Sequence, residues 1–180
     1  MDARKNDEVY TIEDIYALPE GERAELIDGQ LYMMAAPGLD HQDILGLMFR
    51  KMSDCIESRQ KDCKVIIAPF AVYLKEDNSI YVEPDLMVVC DRSKIEKNGV
   101  HGAPDFIAEI VSPSSKSMDH IKKMIKYREA GVKEYWIVDP IDKRVYVYDF
   151  NKDETESFPF GESVSSRLYT DFTMDFKEFR

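Results

Sequence analysis

The stretch Gly102–Ser115, GAPDFIAEIVSPSS, sets Glu109 inside an apolar run of Phe106, Ile107, Ala108, Ile110 and Val111. A short β-branched run bounded by Pro and Ser predicts a buried strand from Phe106 to Val111. Side chains alternate along a strand, so Ile107, Glu109 and Val111 share one face and Ala108 and Ile110 take the other. Glu109 is then the only charged group on its face. An unpaired buried carboxylate is too costly to keep, so Glu109 must either reach water or meet a cation.

Working outward, YVEPDLMVV at Tyr81–Val89 belongs to a second apolar strand running to Cys90. Pro84 has no N–H to give a sheet, so it marks an edge, a bulge or the start of the inner strand, and Asp85 falls at a bend. Lys64–Phe70 and Ala71–Leu74 read as extended, with a turn at Glu76–Asn78. Beyond the Glu109 strand, Ser117–Ala130 predicts a helix ended by Gly131, followed by strands Glu134–Val138 and Arg144–Tyr148.

Toward the N-terminus, Thr11 and Asp14 have capping-box spacing for a helix from Ile12 to Leu18, stopped at Pro19. In ELIDGQLYMM, Glu25–Met34, two apolar runs flank Asp28-Gly29, the strongest hairpin signal in the chain. Ile44, Leu45, Leu47, Met48, Met52 and Ile56 recur at helical spacing, predicting a helix from His41 to Ser58 with Asp40 as N-cap. Residues 151–156 read as a loop or hairpin tip, and Ser163–Phe179 carries extended pieces. The order of elements implies an α/β (α+β) fold: a mixed sheet flanked by helices, preceded by a helix and a hairpin.

Of 180 residues 44% are hydrophobic, enough for a substantial core in one domain spanning residues 1–180. No run approaches the roughly 18 apolar residues of a membrane span, and MDARKNDEVY lacks the apolar stretch of a secretory signal, which predicts a cytoplasmic protein. Cys55, Cys63 and Cys90 form no CxxC pair and are expected to be reduced thiols. A net charge of −11 repels polyanions at long range, so nucleic-acid binding is expected to be weak and strongly salt-dependent.

Asp85 and Glu109, near the ends of neighbouring strands, could converge on a hard divalent cation, since Mg²⁺ takes one or two carboxylates plus water and phosphate oxygens. Each also has a plainer role open to it, as a turn cap or on a solvated face. In SPSSKSMDHIKKMIKYREAGV, Asp119, Lys123 and Tyr127 fall at i, i+4 and i+8 on one side of the helix. A helical wheel sets Lys123 nearly opposite Ile121 and Ile125, which favours a surface ion pair unless the helix is covered on two sides; Lys122 is then the alternative.

Taken together, ELIDG at Glu25–Gly29, HQ at His41-Gln42, EPD at Glu83–Asp85, GAPDFIAEIVSPSS, DHIKKMIKYREAGVKEYWIVDP at Asp119–Pro140 and RVYVYDF at Arg144–Phe150 resemble the Uma-two endonuclease family of the PD-(D/E)XK superfamily. The resemblance runs from about residue 10 to about residue 175. It implies a restriction-endonuclease-like nuclease that uses Mg²⁺ or Mn²⁺ to cut DNA. Asp85 matches the first acid and Glu109 the second, but Val111 stands where the usual lysine would be. The resemblance implies that Lys123 replaces it from the next helix and that Glu25 adds an acid from the hairpin.

On that basis Glu25, Asp85, Glu109 and Lys123 form the candidate catalytic set, with Asp85, Glu109 and the Ile110 carbonyl as metal ligands. His41 at the helix start and Ser112 after the strand are candidate substrate contacts, although a helix-terminal polar residue and a cap explain them equally well. Ser114 and Ser115 are read as caps of the next helix, and Tyr127 and Trp136 as core. Lys116, Lys122, Lys123, Lys126, Arg128 and Lys133 make a local basic stretch, either a DNA face or a solvated helix surface. No P-loop, GxGxxG or HExxH occurs. The competing function is a non-catalytic interaction protein on the same fold; homodimerisation would suit a double-strand cutter.

Overall fold

A two-residue turn opens the first sheet. Asp28 and Gly29 both take positive φ, 50° and 75°, which is the geometry whose twist matches a tight hairpin between β1 (Ala24–Ile27) and β2 (Gln30–Met33). A Cβ on Gly29 would lie 2.6 Å from the Val9 side chain, so the position also needs the smallest residue. Before the hairpin, α1 (Ile12–Tyr16) is capped by Asp14, whose carboxylate accepts the Thr11 N–H at 2.7 Å.

The computed structural model describes residues 9–59, 62–112 and 118–179. After α2 (Leu39–Ser58) come β3 (Lys64–Ile67), β4 (Val72–Tyr73), β5 (Ile80–Val82), β6 (Leu86–Val89), β7 (Ile95–Glu96), β8 (Gly99–His101) and β9 (Phe106–Ile110). A π-helical segment, Met118–Lys123, runs into α3 (Met124–Ala130), which Gly131 ends at φ 96°. Then follow β10 (Glu134–Asp139), β11 (Arg144–Asp149), β12 (Glu154–Pro159) and a hairpin of β13 (Ser163–Ser165) and β14 (Thr173–Asp175). The expected helix start at Ser117 and the caps Ser114 and Ser115 lie outside the described residues.

Strands divide between two six-stranded mixed sheets, ordered β2-β1-β5-β4-β8-β7 and β12-β11-β10-β9-β6-β3. The single apolar run Tyr81–Cys90 is split between them. Pro84, unable to continue a ladder, carries the chain from β5 in the first sheet to β6 in the second. Between the sheets lies a core built from Ile27, Val82, Met87, Ile107, Tyr135 and Ile137, closed by Tyr127 of α3. On the far side of the second sheet, α2 and the C-terminal hairpin bury Met48, Met52, Trp136, Phe172 and Met174 together. Trp136 is core, as expected.

Two expectations need correction. Helix α2 starts at Leu39 after Gly38, not after an Asp40 cap; Asp40 sits in the first turn, where its charge still favours the helix dipole. The cysteines are not all reduced, since Cys63 and Cys90 form a disulfide, leaving Cys55 as a buried thiol. Antiparallel pairing of Lys64 with Val89 brings the flanking Cys63 and Cys90 opposite each other, a meeting 27 residues apart that sequence spacing cannot reveal. Closing that loop constrains the unfolded chain, so reduction is expected to lower stability by about 3–4 kcal/mol. Urea unfolding with and without dithiothreitol measures it; coincident curves would deny the bridge a role in stability.

Candidate active site

Strand alternation aims Glu25 of β1 and Glu109 of β9 into the same space between the sheets. Ala24 and Leu26 pack on the outer side with α1, which leaves Glu25 facing inward beside Ile27. Ile107 and Val111 line the same inner core that Glu109 enters. Both carboxylates are buried, Glu109 being 4% exposed.

The cation that makes this burial tolerable comes from the π-helical segment. Lys123 Nζ lies 2.8 Å from Glu25 Oε2, 3.0 Å from Glu109 Oε1 and 3.4 Å from Asp119 Oδ1. The surface placement suggested by the helical wheel is therefore overturned: Lys123 is 3% exposed, while Ile121 and Ile125 are 58% and 42% exposed. Three carboxylates within 3.4 Å offset the cost of burying one ammonium, a charge too expensive to bury without partners. Lys122 instead donates to the Tyr32 hydroxyl and stands over its ring.

Tyr127, one turn beyond Lys123, is buried and donates its hydroxyl to Glu109 Oε1 at 2.7 Å. It is core, as expected, and also a partner of the acid. Its position at i+8 from Asp119 was the available signal. Asp85 reaches the cluster from the Pro84 bend: its Oδ2 accepts the Ile110 N–H at 2.7 Å and lies 3.1 Å from His41 Nε2. His41, in the first turn of α2, thus meets a carboxylate of the candidate set.

Burial, and then the charges of Asp119, Asp85 and Glu25, raise the Glu109 pKa well above 4.5 in spite of Lys123. Burial raises Glu25 in the same way, again opposed by Lys123. Burial alone would depress Lys123, but Glu109, Glu25 and Asp119 outweigh it and its pKa is raised well above 10.5. Acid is in excess here: one buried ammonium faces three buried carboxylates, with Asp85 alongside.

A cleft of about 710 Å³ exposes one side of the cluster and is lined by Asp85, Glu109, Ile110, Ser112 and Lys123, with His41 on its wall. Among the described residues no three Asp, Glu, His or Cys side chains form a ready cage for an ion. Mg²⁺ needs none, because it keeps several waters and takes one or two protein oxygens. Two hard carboxylates, Asp85 and Glu109, lining one cleft beside further buried acid fit such an ion.

The described residues of the basic stretch have partners within the protein, while the Arg128 and Lys133 side chains stay 51% and 49% exposed. Lys126 pairs with Asp28, Arg128 with Asp153 and Lys133 with Asp105, at 2.9, 2.6 and 2.6 Å. Lys116 lies outside the described residues. No motif signalled Arg23, which lines the same cleft, and Glu83 of the EPD run, not read as a site residue, accepts from Arg23 and donates its backbone N–H to Glu25.

Among the described residues no helix is long and apolar enough to cross a membrane. No curated protein matches the chain. A solved structure, that of a putative nuclease belonging to DUF820 from Anabaena variabilis ATCC 29413, is similar with a TM-score of 0.75. It is 23% identical, and the likeness covers 94% of this chain and 96% of that one, which establishes a shared fold. The family model Uma2, described as "Putative restriction endonuclease", matches residues 12–177, a span that takes in both sheets, α2 and the lysine-bearing segment. The chain therefore belongs to the Uma2 family, and its α/β fold is nuclease-like.

Proposed function

We propose that this protein is a divalent-metal-dependent endonuclease that hydrolyses DNA phosphodiester bonds. The observation that carries the proposal is the convergence on one cleft of Asp85 and Glu109 with Lys123, whose ammonium lies within 3.4 Å of three carboxylates. Asp85, Glu109 and the Ile110 carbonyl would hold Mg²⁺ or Mn²⁺. Bound there, the ion supplies Lewis acidity toward a phosphate oxygen and lowers the pKa of water.

The chain's own groups do the positioning. Glu25 and Asp119 both hold Lys123, so its ammonium stays at Glu109, next to where charge develops on the phosphate. Tyr127 fixes the Glu109 carboxylate, and the Ile110 N–H together with His41 fixes Asp85. Ser112 is a candidate substrate contact on the cleft wall. Cutting both strands of a duplex would use two copies of the chain. The net charge of −11 and the internally paired basic residues favour a second reading, a non-catalytic interaction protein.

Metal titration followed by thermal unfolding separates the two. At 100 times its dissociation constant Mn²⁺ is expected to stabilise the wild type by about 2.7 kcal/mol. Glu109→Gln is expected to lose most of that gain. A wild type whose unfolding ignores both Mn²⁺ and Mg²⁺ would sink the enzyme proposal.

A further inference from the structure

Arg23 lies just before β1 and lines the cleft with Asp85, Glu109 and Lys123. Its backbone is tied across the hairpin, the Arg23 carbonyl accepting the Met34 N–H at 2.8 Å. Its side chain is held flat by one carboxylate: Nε donates to Glu83 Oε2 at 2.9 Å and Nη2 donates to the same oxygen. Glu83 is itself fixed, since Tyr81 donates its hydroxyl to Oε1 at 2.8 Å. The Glu83 backbone N–H donates to Glu25 Oε1 at 3.0 Å, joining this arrangement to the acid cluster.

A guanidinium carries five N–H donors, and Glu83 engages two of Arg23's nitrogens on one edge. Nη1 has no hydrogen-bonded acceptor among the described residues. With a side chain 36% exposed, against 4% for Lys123, Arg23 is the more accessible of the two cations lining this cleft. Lys123 is enclosed by three carboxylates, and Lys122, Lys126, Arg128 and Lys133 have partners within the protein.

We infer that Arg23 binds a phosphodiester group of the substrate strand, next to the one presented to Asp85 and Glu109, and that Glu83 is the positioning residue that aims it. This rests on the nuclease proposal. Glu83 and Asp85 are separated only by Pro84, whose ring fixes one backbone angle, so two residues of chain, at most about 7 Å, link the Arg23 anchor to the acid. Arg23 and Asp85 line one cleft, so the guanidinium offers a second phosphate contact on the wall that carries the acid. A planar guanidinium preset by a carboxylate on one edge presents its other edge as a fork to phosphate oxygens.

The test measures binding apart from cutting. Fluorescence anisotropy of a 5′-labelled 20-nucleotide single strand and its duplex, in EDTA across a salt series, is run on the wild type, Arg23→Lys and Arg23→Ala. Arg23→Ala is expected to weaken binding about tenfold and to reduce the salt slope by about one. Arg23→Lys should keep the slope but not the full affinity, and Glu83→Gln should raise KM. Should Arg23→Ala misfold because Glu83 is left unpaired, Arg23→Met combined with Glu83→Gln removes both charges and is expected to give the same loss. Wild-type affinity and slope in a folded Arg23 variant that still cuts would overturn the inference and leave the nuclease proposal standing. Arg23-dependent binding without metal-dependent cutting would support the contact and overturn the nuclease proposal. A wild type that neither binds nor cuts overturns both.

Discussion

Lys123→Met is expected to destabilise the folded chain by about 3–5 kcal/mol at pH 8, the scale found when one partner of a buried ion pair is removed. For a folded chain of this length that is a fall in Tm on the order of 10 °C. The loss comes from the partners left behind: Glu25, Glu109 and Asp119 remain buried without the ammonium that lies 2.8–3.4 Å from them. Methionine matches the alkyl stem, so packing contributes little to the deficit.

The deficit should shrink on acidification, and its sign follows from the direction of the Glu109 shift. Burial first, then its carboxylate neighbours, hold the folded pKa above the ordinary 4.5. Between 4.5 and that raised value the folded chain binds a proton the unfolded chain has released. Stability from this group is therefore complete below pH 4.5 and declines as the pH rises through the folded pKa. Removing Lys123 removes the main influence lowering Glu109 and Glu25, so both shift further up and the window widens. Lys123 itself stays charged throughout, its pKa lying above 10.5. Thermal unfolding of both proteins in EDTA at pH 5, 6, 7 and 8 checks this. A deficit that is constant or grows toward pH 5 would contradict a buried-carboxylate origin.

Asp85→Asn separates chemistry from folding. An asparagine oxygen can still accept the Ile110 N–H that Asp85 takes at 2.7 Å, so the local connection between the bend and β9 survives. Loss of the negative charge also relieves repulsion on Glu109, which Asp85 helps to raise. Stability is thus expected to stay within about 1 kcal/mol of wild type, as for a substitution that leaves no buried group unpaired. Cleavage is expected to fall about 10²–10³-fold, the usual consequence of losing one electrostatic contact to the reacting group. A plasmid-nicking assay in Mn²⁺, paired with thermal unfolding, reads both. A folded Asp85→Asn protein that nicks at the wild-type rate would remove Asp85 from the mechanism.

Much of the local structure was legible because it depends on neighbours in sequence. Asp28-Gly29 announced its turn, and alternation placed Glu109 on the face of Ile107 and Val111. Pro84 announced a break, though not that the strands on either side join different sheets. Lys123 shows where such inference stops. The wheel placed it opposite two isoleucines and hence at the surface, yet the isoleucines are exposed and the lysine is buried. Which helix face turns inward was decided by carboxylates 14 and 98 residues away.

The sequence by itself determined the strand and helix types, the apolar faces and the acids available, because backbone geometry and side-chain alternation act over a few residues. Only the tertiary structure decided which charges meet. It joined Cys63 to Cys90, closed Lys123 among three acids, paired the basic residues of α3 and left Arg23 at the cleft. The physical reason is that Coulomb energy and desolvation depend on distance and burial in space. For Glu109 both are set by the packing of two sheets against one helix.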